Sequence, residues 1–166
     1  MIDTVYRKLE KKSIASMLLG NAIAIVIIIA TVFLMLTYLP EYSNEYIDET
    51  HLSYILYAIL AIITAYLVIG PFVFYARYRY MINDERTDVK RGILIIRRTM
   101  VPIERIHQVE VTRGPINNLF GLANVQITTA GGVANIEYLK LADAEEIAKH
   151  LNAVVNRIVK GLRDDQ

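Results

Sequence analysis

The chain contains no cysteine. That excludes a disulfide framework, a thiolate metal site and a cysteine nucleophile. Serine does not occur after Ser53, so the C-terminal half lacks a serine nucleophile as well. Histidine is scarce. His107 and His150 stand far apart, without the spacing of a His-Glu-x-x-His metal site. No motif marks any carboxylate, and Gly131-Gly132 lacks the phosphate-cradling pattern and fits a hairpin better. These absences point to a non-enzyme without a cofactor. Lys and Arg are missing from Ser13 to Ala76, and tryptophan is missing throughout, although tyrosine occurs eleven times.

What fills the region without cations is apolar. Met17 to Leu39 holds no charged residue, and as a helix its 23 residues would extend roughly 34 Å, against the roughly 30 Å of a hydrocarbon core. Leu52 to Tyr75 is a second uncharged stretch of similar length. Buried helices of a soluble core are the alternative, but a chain of 166 residues offers too little else to surround them. A cleaved signal peptide fits poorly, because Thr37-Tyr38-Leu39-Pro40-Glu41 has no small-x-small pattern. Lipid offers the backbone no partners, so both stretches should be helical, despite the strand-favouring run Ile25 to Ile29.

Charge orients the pair. Arg7, Lys8, Lys11 and Lys12 precede the first stretch, and Arg77 and Arg79 follow the second. The segment between them carries Glu41, Glu45, Asp48 and Glu49 without a cation. Positive charge stays inside, so both ends are expected in the cytoplasm, in a multi-pass membrane protein. Tyr38, Tyr42 and Tyr46 would mark the outer interface, and Tyr75, Tyr78 and Tyr80 the inner one. The expected organisation is a cytoplasmic segment over 1–16, spans over 17–39 and 52–75, an extracytoplasmic loop over 40–51 and a cytoplasmic domain over 76–166. Gly20, Asn21 and Gly70 are the candidates for packing between spans. Asn21 can bond across to the other helix or reach the interface, and Gly70-Pro71 can kink the second span or mark its end.

From Arg77 the pattern becomes short and alternating. Strands are expected over Tyr78 to Ile82, Thr87 to Lys90, Ile93 to Met100 and Ile106 to Thr112, with Pro102 interrupting between the last two. Ala123, Val125 and Ile127 point to one face and Asn124, Gln126 and Thr128 to the other. Ala130-Gly131-Gly132 signals a hairpin, with Ala134, Ile136 and Tyr138 on the returning strand. Asp143 and Glu146 look like the start of a helix with a capping box. Ile147, Leu151, Val154, Val155, Ile158 and Leu162 then form an apolar stripe that is expected to close one end of the sheet, with a membrane-surface or partner helix as the alternative, and Arg157, Lys160 and Arg163 suit the helix's end.

Val101-Pro102-Ile103-Glu104-Arg105-Ile106-His107-Gln108-Val109, Gly114-Pro115-Ile116, Phe120-Gly121-Leu122-Ala123 and Thr129-Ala130-Gly131-Gly132 occur in this order. Together with the paired spans they resemble the YdbS-like bacterial membrane proteins that carry a pleckstrin-homology-like (PH-like) domain. The resemblance covers essentially the whole chain. It implies a helical hairpin followed by a β-rich domain of six or seven antiparallel strands, as a partly open barrel or two packed sheets with a capping helix. It brings no catalytic residues. Where the family commonly has a basic residue before Phe-Gly-Leu, this chain has Asn117-Asn118.

Two surfaces stand out. Arg77, Arg79, Lys90, Arg91, Arg97, Arg98, Arg105 and Arg113 are either a headgroup-facing surface or a solvated sheet edge. Pro115, Ile116, Leu119 and Phe120 are unusually apolar for a connection. They read as a turn that plugs the barrel's open end, with partner docking or membrane contact as the alternative. Aromatic residues are not interleaved with the basic ones, which argues against nucleic acid. The expected function is a non-catalytic, membrane-anchored adaptor that binds a membrane protein partner or itself. The alternatives are an accessory subunit of an export, efflux or toxin-resistance system and a lipid-headgroup sensor.

Overall fold

A computed structural model describes residues 6–38 and 49–164, except for the side chains of 36, 49, 50, 52 and 158–164. The expected acidic loop with Glu41, Glu45, Asp48, Tyr42 and Tyr46 lies outside these residues, as do the side chains of Ile158, Lys160, Leu162 and Arg163. The chain divides into two compact units, Met17–Phe72 and a second made of Met1–Ser16 with Val73–Gln166.

Helices α1 (Lys12–Tyr38) and α2 (Glu49–Arg77) account for the first unit. Each holds a stretch long and apolar enough to cross a membrane, over Lys12–Met35 and Ser53–Arg77. The β-branched run from Ile25 to Ile29 is helical, as expected where the backbone must pair within its own segment. Thr31 and Thr37 donate their hydroxyls back to the carbonyls of Ile27 and Phe33, at 2.9 and 2.8 Å, so neither hydroxyl needs a solvent partner. Gly70-Pro71 does not end the second helix, which runs on through Pro71 to Arg77. Proline has no N–H, so the Leu67 carbonyl one turn earlier loses its helical donor. Asn21 Nδ2 on α1 donates to that carbonyl at 2.6 Å. One side chain thereby repairs the gap that the proline opens.

The second unit contains two three-stranded antiparallel sheets. Strands β1 (Arg79–Ile82), β2 (Arg86–Arg91) and β3 (Arg97–Pro102) form the first, in that order. A 3-10 turn over Ile103–Arg105 leads to β4 (Ile106–Thr112), the short helix α3 (Pro115–Leu119), β5 (Leu122–Thr129) and β6 (Gly132–Lys140). The second sheet has the order β4-β5-β6, and α4 (Leu141–Asp164) packs across all three strands. Two apolar helices, six strands and a closing helix match the expected architecture.

Periodicity explains the core. On β5, Ala123, Val125 and Ile127 are buried while Asn124, Gln126 and Thr128 stay half-exposed. On α4, Ala144, Ile147, Ala148, Leu151 and Val154 are buried, one stripe at helical spacing. Fully burying a side chain such as Leu151 contributes about 1.5–3 kcal/mol.

Four local expectations are corrected. Residues 93–96 are not strand; β3 starts only at Arg97 and runs through Pro102. Pro102 fits as the last residue of an outer strand, where a missing N–H costs little. On β6 the face changes: Tyr138 has φ 55° and Leu139, not Tyr138, is buried. A register shift between Ala123 and Val125 on β5 accompanies it. Asn124 Oδ1 accepts the Tyr138 N–H at 3.0 Å, which supports this backbone conformation where a side chain is ordinarily disfavoured. Helix α4 begins at Leu141, so Asp143 lies inside its first turn rather than capping it. Its charge still suits the helix N-terminus.

The fourth correction concerns the N-terminal residues. Arg7 and Tyr80 exchange both backbone hydrogen bonds, at 2.8 and 3.1 Å, adding a bridge beyond β1. Leu9, Ser13 and Ser16 are buried, and Lys140 pairs with Glu10 at 3.4 Å. The β unit therefore contains serine after all, although Ser16 is engaged, donating to Asn117 Oδ1 at 2.7 Å.

Candidate functional site

Strand pairing sets where the eight basic candidates go. Arg79, Lys90 and Arg98 are register neighbours across β1, β2 and β3, so their side chains share one face. Asp88 lies on the same face, and its side chain is 0% exposed against 45% for Arg98. Arg98 grips Asp88 through both Nε and Nη2, and Nη2 also donates to the Tyr6 hydroxyl. Tyr6 donates that hydroxyl to Asp88 at 2.7 Å, and Lys90 sits 4.4 Å from the centre of its ring. Burial pushes the Asp88 carboxyl up, but the hydrogen bonds from Arg98 and Tyr6 and the charges of Arg98 and Lys90 outweigh it. The net shift is below the usual carboxylate value. This is a structural clamp that ties the N-terminal residues to the sheet.

The other basic residues divide. Arg91 pairs with Glu137 at 2.9 Å, where burial pushes the carboxyl up more than Arg91 pulls it down. Glu137 N–H donates to the Tyr78 hydroxyl at 3.0 Å, and burial raises that phenol far above its ordinary value. Arg79 donates to the Tyr78 carbonyl at 2.6 Å and Arg77 to the Ile93 carbonyl at 2.5 Å. Arg97, Arg105 and Arg113 are exposed and make no ion pair among the described residues. The eight therefore form no single patch of free cations.

Strand β3 is the outer strand of its sheet, and its far edge has no ladder partner among the described residues. Beside it opens a cleft of ≈ 590 Å³, lined by Thr99 to Pro102, by Glu104, Arg105 and His107, and by the β5–β6 hairpin from Thr129 to Ala134. Met100 and Val133 show exposed apolar side chains there. The arrangement offers backbone groups of an edge strand, apolar contacts and charges of both signs. These are the requirements for adding an extended peptide strand. The basic-residue count and the alternation both miss this cleft. No run of residues signals it, because the open edge of β3 follows from the strand order.

The apolar segment after β4 forms α3. Pro115 occupies its first turn and Gly114 precedes it in extended conformation, as proline's fixed φ favours. Ile116 and Phe120 are half-buried, whereas Leu119 is exposed. Helix α3 contacts β5. Between β2 and β3, Leu94, Ile95 and Ile96 are exposed, a feature hidden while residues 93–100 read as one strand. In the other unit, Gly20 is half-buried, Gly70 is buried, and Asn21 is committed to Leu67.

Among the described residues no group of three His, Asp or Glu is placed to hold a metal ion. His150 contacts Asp84 at 3.0 Å, and His107 lies at the cleft's rim.

The family model of the bacterial PH domain matches residues 13–155. The transmembrane protein YdbS of Bacillus subtilis (strain 168) is 29% identical over 105 residues, covering 63% of this chain and 62% of that protein. The transmembrane protein YdbT of the same organism is 26% identical over 96 residues, covering 58% of this chain and 20% of that protein. The similarity therefore spans less than two thirds of either relative. No solved structure matches the chain.

Proposed function

The chain belongs to the bacterial PH domain family, and we propose that it is a non-catalytic adaptor, anchored in the prokaryotic cell membrane by α1 and α2. Its β unit faces the cytoplasm and receives an extended segment of a protein partner or of a second copy of itself. The observation that carries this reading is the cleft beside the edge of β3 that has no ladder partner among the described residues. Edge pairing supplies main-chain hydrogen bonds, and Met100 and Val133 supply apolar contact. The commitment of the Asn21 amide within its own helix pair favours an anchor over a subunit that packs through that residue with other spans. The engagement of Arg77, Arg79, Lys90, Arg91 and Arg98 within the unit weakens the headgroup-sensor alternative.

Photo-crosslinkers placed at Met100 and at Val133 of the full chain in native membranes test the proposal. The expected result is one discrete protein adduct common to both positions, lost from the Met100 site on Val133→Arg. Unadducted monomer at both positions, together with a lone monomer in native mass spectrometry, would overturn it.

A further inference from the structure

Between β2 and β3 the chain carries four consecutive apolar residues, Ile93-Leu94-Ile95-Ile96. Leu94, Ile95 and Ile96 are 83%, 75% and 58% exposed. Three adjacent large apolar side chains facing water are unfavourable unless another phase or partner takes them. The loop carrying them is tightly folded. Gly92 has φ +142°, and a Cβ there would lie 1.9 Å from the Ile95 carbonyl oxygen. Only glycine permits this return of the backbone.

The loop's position relative to the helix end identifies what takes the tip. Arg77 Nη1 donates to the Ile93 carbonyl at 2.5 Å. Arg77 is the last residue of α2, and the apolar stretch long enough to cross a membrane ends at that residue. The tip is thus pinned to the point where the chain leaves its candidate span. Arg97 follows the tip directly, exposed and without an ion pair among the described residues. Apolar side chains beside an unpaired cation are a composition that binds an anionic lipid surface, through apolar burial and attraction to phosphate together.

We infer that Leu94, Ile95 and Ile96 form a wedge that enters the headgroup–acyl boundary of an anionic leaflet, with Arg97 at the lipid phosphates. The wedge rests on the chain being embedded in a membrane and not on the cleft beside β3 having a partner. It gives the β unit a second attachment besides the covalent one, and so fixes its orientation on the bilayer.

Because the chain has no cysteine, single labels can be placed cleanly. Leu94→Cys and Ile95→Cys, each carrying an environment-sensitive fluorophore, are reconstituted as full chains in nanodiscs with and without phosphatidylglycerol. Asn152→Cys on the exposed face of α4 is the reference. The expected result at Leu94 and Ile95 is a blue-shifted emission and several-fold stronger quenching by bilayer-borne nitroxide than at Asn152. Aqueous iodide should quench these sites less than the reference. Arg97→Gln should reduce the contribution of phosphatidylglycerol. Ile95→Glu, read from the Leu94 label, should abolish the lipid quenching with thermal unfolding unchanged. Quenching by iodide alone would overturn the wedge. Protection from both quenchers would overturn it too, in favour of a protein contact.

Discussion

Asp88 and Arg98 form an ion pair whose two ends are unequally placed. Asp88 is buried and Arg98 is 45% exposed, so the two deletions should not cost the same. Arg98→Ala leaves a buried carboxylate that keeps the hydrogen bond from Tyr6, and should lower the unfolding temperature of the β unit the more of the two. Asp88→Ala leaves an arginine that water can reach, and should lower it less. Thermal unfolding of the full chain in nanodiscs measures both. Acid acts on the same pair. The folded carboxyl lies below its ordinary 3.8, so the unfolded chain holds the proton more tightly. The stability Asp88 contributes is therefore present above 3.8 and lost as pH falls through its folded value. Asp88→Asn should flatten that part of the acid limb. Asn21 supports a second residue-scale test. Asn21→Leu should cost about 1 kcal/mol in detergent unfolding, because the Leu67 carbonyl then lacks a donor. In a Pro71→Ala background the helix regains its own N–H, and the same change should cost almost nothing. A double-mutant cycle with no coupling would contradict the link.

Elements were legible in the sequence where one period ran uninterrupted. The alternation on β5 and the stripe on α4 each have one solution, because a slip would turn apolar side chains outward. The β2–β3 connection had no such period. Ile93 to Ile96 is continuously apolar, and a continuous run fits a buried strand as well as a loop that meets another phase. What separates them is Gly92, whose positive φ becomes visible only in three dimensions. Gly92→Ala should therefore add about 1–3 kcal/mol of local strain. Hydrogen exchange at residues 93–97 should accelerate while α4 stays protected. Unchanged exchange would show that the turn does not depend on the glycine. The cleft was illegible for a related reason. It depends on which strand edge is left unpaired, a property of topology rather than of any residue run. Tyr138 belongs here as well, since a bulge that reassigns a face leaves only Asn124 as its trace in sequence.

At the scale of the whole molecule, the β unit is assembled from both flanks of the helical pair. A sequence reading that separates residues 1–16 from 76–166 misses this, because the first sixteen residues carry no strand period of their own. Among the described ones, the contribution includes two backbone bonds at Arg7, the Tyr6 hydroxyl, the buried Leu9 and the Glu10 pair with Lys140. Arg7→Pro removes the N–H that donates to Tyr80 and should lower the unfolding temperature of the β unit, at a cost of about 1–3 kcal/mol. Arg7→Ala keeps both backbone bonds and should cost less. Equal effects would mean that the side chain, not the bridge, is what matters.

The bridge between Arg7 and Tyr80 also constrains the order of assembly. It joins residues on either side of the helical pair, so this edge of the sheet closes only once both helices have been synthesised. A chain without residues 6–9 would leave β1 with a bare outer edge and Asp88 without Tyr6.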